Sequence, residues 1–431
     1  MARTDAPASH GSPPESDGPL PGAPIRIGAF DALQFREFRL LWMGQLTTAL
    51  GQWMDQVARG WLLYELTGSP FHLGLVGVTR ILPLLLLSPV SGTMADRYGR
   101  KTQLIVAQSI NALVNALLGI LIIQGGVHPW HVYATGLVAS TVQVFQVPPR
   151  HAMVPETVPR PYLTNAIALN SIAFNMSRSL GPAVAGAIIA LFGPGVSYLG
   201  QATIYLLSTV WTIQLRLPNH APTSGEERAR GRSFGGSTVD GWRYIWNQET
   251  IRTALLMSAL ASFFGFSTTA LLPVFAKDVL QGGPTAQGLL LAAVGVGAVV
   301  SGLLVATIGD RMPKGMLMVA GVAAYGLSSL AFSASHWLPL SILFMFINGV
   351  CNVAATTLIQ TVLQAESAPA MRGRVMGAYQ QHHVVIATGG IIAGALASVM
   401  GAPFTVGIFG GACALGALAF MVAFPHIRTI R

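Results

Sequence analysis

Residues Gly92–Lys101 read GTMADRYGRK and stand between two long apolar runs. Runs of about 20 apolar residues are long enough to cross a bilayer as helices. A short turn holding two glycines, an acid and three bases between such runs marks a cytoplasmic hinge between two membrane helices. A weaker copy, IGDRMPK at Ile308–Lys314, occurs in the second half of the chain. Two copies at matching places point to a duplicated membrane protein.

The bulk numbers agree. The chain has 431 residues, 52% hydrophobic and only 10% charged, with mean hydropathy +0.56. Soluble proteins carry roughly 25% charged residues. In lipid, backbone polar groups must be satisfied inside helices or closed barrels, so the expected class is all-α. The 48 glycines suit close helix–helix contact in a membrane. Cys351 and Cys413 both fall in apolar runs and read as small packing residues. They form no disulfide framework, and a metal site would need more ligands.

Twelve spans are read along the chain: Phe38–Leu66, His72–Ala95, Thr102–Gln124, Trp130–Pro148, Leu163–Phe192, Val196–Leu217, Ile251–Lys277, Ala286–Gly309, Gly315–Ser335, Trp337–Gln364, Val375–Met400 and Pro403–Phe424. Of the 25 Lys and Arg, three lie well inside spans: Arg59, Arg80 and Arg178. Lys277 falls at the far end of the seventh. The rest gather at the termini and around the gaps after even-numbered spans. Basic residues mark the cytoplasmic side, so both termini are expected there. The net charge of +9 is therefore topological, and no nucleic-acid partner is expected.

The expected organisation is a disordered cytoplasmic tail (1–34), a first six-helix bundle (35–217), a cytoplasmic inter-bundle loop (218–250), a second six-helix bundle (251–424) and a cytoplasmic tail (425–431). The first 25 residues are rich in Pro, Ser and Gly with no apolar core, hence no visible signal peptide. Within the loop, Val239–Asn247 (VDGWRYIWN) sets aromatics beside a charge and is expected to lie as a short helix in the interface.

The halves repeat. Gly68, Pro70, Gly74 and Asp96-Arg97 match Gly282, Pro284, Gly288 and Asp310-Arg311 at an offset of 214 (284 − 70). Gly181, Gly186 and Gly193 match Gly389, Gly394 and Gly401 at 208 (389 − 181). Two parallel six-span repeats are an architecture that binds substrate near mid-membrane between the halves.

The loop has a physical logic. Gly92 permits close helix approach and Gly99 a tight turn. Arg97, Arg100 and Lys101 anchor at anionic lipid. Asp96 suits a helix N-terminus or an arginine partner. On these residues the chain resembles the major facilitator superfamily. The resemblance implies a conformational latch made by Gly92, Asp96, Arg97, Gly99, Arg100 and Lys101, closing the cytoplasmic side in the outward-open state. Asp310 and Arg311 carry the weaker copy, which has Ala306 in place of Gly92. The stretch Arg178–Gly186 (RSLGPAVAG) resembles the helix motif of drug/proton antiporters through Gly181, Pro182 and Gly186, with Ala185 where that motif prefers Gly. A generic kinked helix accounts for it nearly as well. Phe38-Arg39-Leu40-Leu41-Trp42, Leu66-Thr67-Gly68-Ser69 and Arg372–Gly377 (RGRVMG) resemble the bacterial branch that contains the enterobactin exporter and macrolide efflux proteins.

Charges inside a membrane are functional candidates. Asp55 and Arg59 are four apart on one helix face, and Arg80 enters to a similar depth from the next span. These three are the proton-coupling candidates, with Asp55 the only acid well inside a span. A permanent ion pair stabilising spans one and two is the other open reading. Arg178, nearer mid-membrane, is expected to face a cavity and attract an anionic or polar substrate, or to pair with Asp55. Gln56, Asn175 and Asn352 are further cavity candidates. His382 and His383 read as interfacial or bonded to neighbours.

No phosphate-binding Gly-Lys-Ser/Thr loop, His-Glu metal helix or paired intramembrane aspartate occurs in the sequence. The expectation is therefore not an enzyme but a secondary exporter in the bacterial inner membrane. It would be monomeric and use no cofactor beyond a proton gradient. By resemblance its substrates are amphipathic small molecules: drugs, macrolides or siderophores. Other open readings are an uncoupled lipid or metabolite transporter of the same fold, and a transport-dead sensor or scaffold.

Overall fold

The computed structural model describes residues 28–216, 234–265, 267–308, 313–369 and 371–426, with the backbone alone at 89–90, 92–98, 234–240, 267, 306 and 308. Asp310 and Arg311 lie outside the described residues. So do the first 27 residues, residues 218–233 of the expected inter-bundle loop and the last five residues. The side chains of Asp96 and Arg97 are also undescribed.

The described chain is all-α. Its helices are α1 (Arg36–Thr67), α2 (Pro70–Tyr98), α3 (Arg100–Ile123), α4 (Pro129–Thr157) and α5 (Leu163–Gln214). There follow α6 (Phe234–Asn247) and α7 (Glu249–Leu260), which runs on through a π-helical turn at Ala261–Gly265 and short turns to Val279. The remainder are α8 (Gly283–Ile308), α9 (Lys314–Ser333), α10 (Leu338–Glu366), α11 (Arg372–Gln380), α12 (His382–Met400) and α13 (Ala402–Ala423). Among the described residues, nine helical segments are long and apolar enough to cross a membrane. α1 and α4 are not among the nine.

The sequence expects two spans where α5 is a single element of 52 residues, about 78 Å if straight. It is not straight. Gly193 has φ +84 and breaks the helix, and the two limbs fold back on α1. The Ser177 hydroxyl donates to the Leu46 carbonyl at 3.0 Å, and the Ser208 hydroxyl to the Gly44 carbonyl at 3.0 Å. Residues 31 apart in sequence thus bond to the same turn of α1, as a hairpin centred on Gly193 requires. The break belongs to a recurring device. Gly68, Gly193, Gly283 and Gly401 all have positive φ, and each is followed within two residues by a proline that opens the next helix. Glycine supplies the left-handed turn, and proline is tolerated in a first helical turn.

α4 corrects one boundary. Its span was expected to end at Pro148, yet the helix runs through Pro148, Pro149 and Pro155 to Thr157. Arg150 is thereby held inside the fold rather than in a loop. It is buried and donates to the Gln45 side-chain oxygen at 2.7 Å and the Thr48 hydroxyl at 3.2 Å.

The first-half and second-half helices meet chiefly along two pairs, α2 with α12 and α5 with α8. Glycines make these approaches close. A Cβ on Gly186 would lie 2.6 Å from the Pro284 carbonyl oxygen, and one on Gly394 would lie 2.7 Å from that of Pro70. A Cβ on Gly288 would lie 2.5 Å from the Pro182 oxygen, and one on Gly74 would lie 2.6 Å from that of Gly390. By the offsets of 214 and 208, these are the same two contacts made twice.

Among the described residues, three apolar cores follow from this. One contains residues of both halves, from Met54, Tyr64, Leu73 and Ala185 to Leu272, Leu290, Ala393 and Phe409, at the end of the molecule that carries the glycine turns. The other two are separate. One holds only first-half residues such as Phe38, Leu104, Met153 and Leu169, and the other only second-half residues such as Ile251, Tyr325, Leu358 and Tyr379. The halves share a core at one end and have a core each at the other.

Candidate substrate cavity

Between the halves lies a cavity of about 470 Å3 with walls from both. The first half contributes Trp53, Gln56 and Arg59 from α1, Leu73, Gly74, Gly77, Arg80, Ile81 and Leu84 from α2, and Phe174 and Arg178 from α5. The second half contributes Ser258, Pro273, Gln287, Asn352, Thr356, His382 and His383, with apolar Leu291, Ile359 and Ile386 between them. Mostly apolar walls with a few convergent polar groups are the composition of a small-molecule site. None of the described lining residues is Asp or Glu.

Sequence neighbours on α1 build its first electrostatic feature. Arg59 grips Asp55 with both sides of its fork, Nε to Oδ2 at 3.0 Å and Nη2 to Oδ1 at 2.7 Å. Its remaining nitrogen donates to the Val132 carbonyl at 2.6 Å and the Thr135 hydroxyl at 3.0 Å on α4. Gly136 makes room, since a Cβ there would lie 3.0 Å from the guanidinium. The Arg59 side chain is 4% exposed and that of Asp55 17%. A bidentate pair of this kind is charge-assisted and geometrically specific. Asp55 itself does not line the cavity; its partner does.

Arg80, one span away, lines the cavity and is exposed. Asp55 and Arg59 are the charges that act on it, so the three coupling candidates are neighbours. Arg178 also lines the cavity. It does not pair with Asp55; its guanidinium lies over the Trp53 ring, 5.5 Å from the centroid, a cation–π geometry. Gln56 and Asn352 line the wall, whereas Asn175 does not. Its amide turns back along its own helix and donates to the Ser171 carbonyl at 2.9 Å. His382 and His383 line the cavity, and the ring of His382 also bonds the Tyr379 carbonyl at 2.8 Å.

The glycines of the antiporter-like motif serve packing. A Cβ on Gly181 would lie 2.7 Å from the Trp53 side chain, so Gly181 seats α5 on α1 where Arg178 and Trp53 meet. Pro182 and Gly186 make the contact with α8 described above. In the loop motif, Gly99 has φ +78 and turns α2 into α3. Arg100 pairs with Glu156 of α4, and the Lys101 ammonium donates to the Leu215 carbonyl at 2.7 Å. Both tie the loop to its own half.

Sequence reasoning did not single out Tyr64 or Asp278. Tyr64 at the end of α1 donates a hydrogen bond to Asp278 of the second half, and Lys277 lies over the Tyr64 ring at 5.5 Å. The internal repeat could have revealed the pair, because Asp278 is the repeat equivalent of Tyr64. Trp53 and Arg150 were missed as well. No spacing rule marks a residue whose partner lies on another helix.

Known proteins fit this geometry. The Staphyloferrin A transporter of Staphylococcus aureus is 26% identical over 372 residues, 84% of this chain and 89% of that protein. The multidrug efflux pump Tap of Mycobacterium tuberculosis is 25% identical over 396 residues, 90% and 91% of the two chains. Macrolide efflux protein A of Streptococcus pyogenes is 24% identical over 346 residues, 79% and 84%. A POT peptide transporter superposes with a TM-score of 0.71 at 14% identity, covering 91% of this chain and 95% of that one. A bacterial homologue of the lysosomal transporter Spinster gives 0.69 at 14%, covering 93% and 96%. These structures share the fold. The transmembrane secretion effector family model matches residues 27–430, and the chain therefore belongs to that family of major facilitator transporters, multi-pass membrane proteins that are not enzymes.

Proposed function

We propose that the protein is a secondary exporter of amphipathic small molecules in a bacterial inner membrane, working by alternating access with proton antiport. The reading takes twelve spans in two six-helix bundles, both termini cytoplasmic, and a monomer as the working unit. The observation that carries it is the distribution of the cores. One core joins the halves at the glycine-turn end, and two separate cores flank the cavity at the basic end. With the basic residues facing the cytoplasm, this is an inward-open state, ready to load from inside. Rocking the halves about α2–α12 and α5–α8 would close the basic end and open the other. The relatives named for a siderophore, multiple drugs and macrolides favour export and a broad chemical range.

Coupling is assigned to Asp55. Its protonation would remove one charge from the Asp55–Arg59 pair and weaken two charge-assisted hydrogen bonds. Arg59 would then change its hold on the cavity it lines, so proton and substrate binding would be linked through one guanidinium. Asp96, with Arg97 and the loop around it, is assigned the latch of the opposite state, when the basic end is closed.

The test is gradient-driven uptake into inverted membrane vesicles, screening dyes, macrolides and catecholate siderophores, with wild type and Asp55→Asn side by side. Uptake that needs the gradient and is lost in a folded Asp55→Asn protein supports the whole reading. Unchanged uptake in Asp55→Asn makes the pair structural and moves coupling elsewhere. Uptake that ignores the gradient favours an uncoupled transporter of the same fold.

A further inference from the structure

Resting on the cavity as the substrate site, we infer that it selects anionic amphipaths, carboxylates foremost, and that Arg80 and Arg178 are the anchoring cations. The described lining residues include three arginines and no acid. One of the three, Arg59, is neutralised by the two-pronged bond to Asp55 and has its third nitrogen committed to α4. The other two are not neutralised. Among the described residues, Arg80 has no hydrogen bond or ion pair, only the through-space fields of Asp55 and Arg59. Arg178 rests one face on Trp53, which leaves the N–H donors on its rim directed outward in the guanidinium plane. Counting Asp55 against the three arginines, the membrane-embedded group holds a net charge of about +2.

An unpaired guanidinium in the middle of a membrane is costly and persists where it faces water or a ligand. Its fork matches a carboxylate in two parallel bonds. The apolar remainder of the wall, with Leu73, Leu84, Phe174 and Leu291, would cover the hydrocarbon part of such a ligand. A cationic amphipath would meet the same walls with two uncompensated like charges and nothing to answer its own.

The experiment measures binding to purified protein in detergent with three matched probes: 1-pyrenebutanoate, its methyl ester and 1-pyrenebutyl-trimethylammonium. The expected result is at least about tenfold tighter binding of the acid than of the cation. Arg80→Gln with Arg178→Gln should weaken acid binding about tenfold or more and erase the preference. Arg80→Lys with Arg178→Lys should keep it in part, and Arg36→Gln, at an exposed pair with Glu37, should leave it unchanged. Monodispersity and helical content of each variant are checked first. The inference is overturned if the acid fails to bind, if the cation binds as tightly, or if the folded double-Gln variant binds the acid like wild type. Binding needs no gradient, so acid-selective binding without vesicle transport would sink the export reading and leave this one standing. Gradient-driven transport of the cation with no acid preference would do the reverse.

Discussion

Tyr64 donates a hydrogen bond to Asp278, the residue 214 positions further along the chain. The same offset relates Gly68, Pro70 and Gly74 to Gly282, Pro284 and Gly288. Two repeat-equivalent residues can touch only on the axis that relates their repeats, so this bond sits on the pseudo-twofold of the molecule. It lies at the glycine-turn end, where the halves share a core that includes Tyr64. The contact ties the halves together at that end, and under the proposed alternating access it would have to break for that end to open, as a bolt does.

Removing the bolt should shift the balance of states without unfolding the protein. One hydrogen bond contributes about 0.5–1.5 kcal/mol net, more when one partner is charged. Tyr64→Phe and Asp278→Asn should each raise the population open at the glycine-turn end by roughly threefold to tenfold. Spin labels at Thr67→Cys and Thr285→Cys, in a background free of Cys351 and Cys413, would read this as a second, longer distance. An unchanged distance distribution in both variants would show that the bolt carries no load.

The duplicated glycine contacts should respond alike. Gly186→Val and Gly394→Val place new atoms against the carbonyls of Pro284 and Pro70 respectively. Overpacking of this kind costs about 1–3 kcal/mol. Both variants should lose thermal stability by similar amounts. Gly200→Ala and Gly411→Ala, where an added Cβ meets nothing within 4 Å, should be neutral or slightly stabilised, as Ala is the better helix former. Unequal losses at the two valine sites would speak against the pseudo-symmetric reading of the contacts.

The Asp55–Arg59 pair should show strong coupling in a double-mutant cycle. Breaking a buried pair by removing one charge typically costs about 3–5 kcal/mol, whereas removing both can be nearly neutral. Asp55→Asn and Arg59→Gln should each lower the melting temperature, and the double variant should recover much of the loss. If the double variant is stable yet transports nothing against a gradient, the pair has a role beyond packing. If it is as unstable as either single variant, the stability argument fails.

Arg150 should behave as a fixture between α4 and α1. Hydrogen bonds to a charged group contribute about 1.5–3 kcal/mol, and Arg150→Met removes the two to Gln45 and Thr48. The expected outcome is a comparable loss of stability in thermal unfolding. A variant as stable as wild type would mean that local repacking satisfies Gln45 and Thr48 without the guanidinium.

Much of this was legible in the chain alone. Composition determined the all-α membrane class, because 10% charged residues cannot solvate a protein of this length. The glycine–proline spacings determined where helices turn and that the halves repeat, since positive φ and a proline-led helix start are local demands of the backbone. Arg178, Gln56, Asn175 and Asn352 were legible as cavity candidates, and Asp55, Arg59 and Arg80 as coupling candidates, because a polar side chain inside an apolar run has few other places to go. What the chain could not state was which of these groups have partners. Asn175 satisfies itself on its own helix, Arg59 is consumed by Asp55 and α4, and Arg178 rests on Trp53. The end of α4, with Arg150 buried past two prolines, was also invisible, because α1 supplies the partners that hold it. Tertiary structure alone decided which end of the molecule is shut. Only the packing brings Tyr64 to Asp278 and joins one core across the halves while leaving two apart.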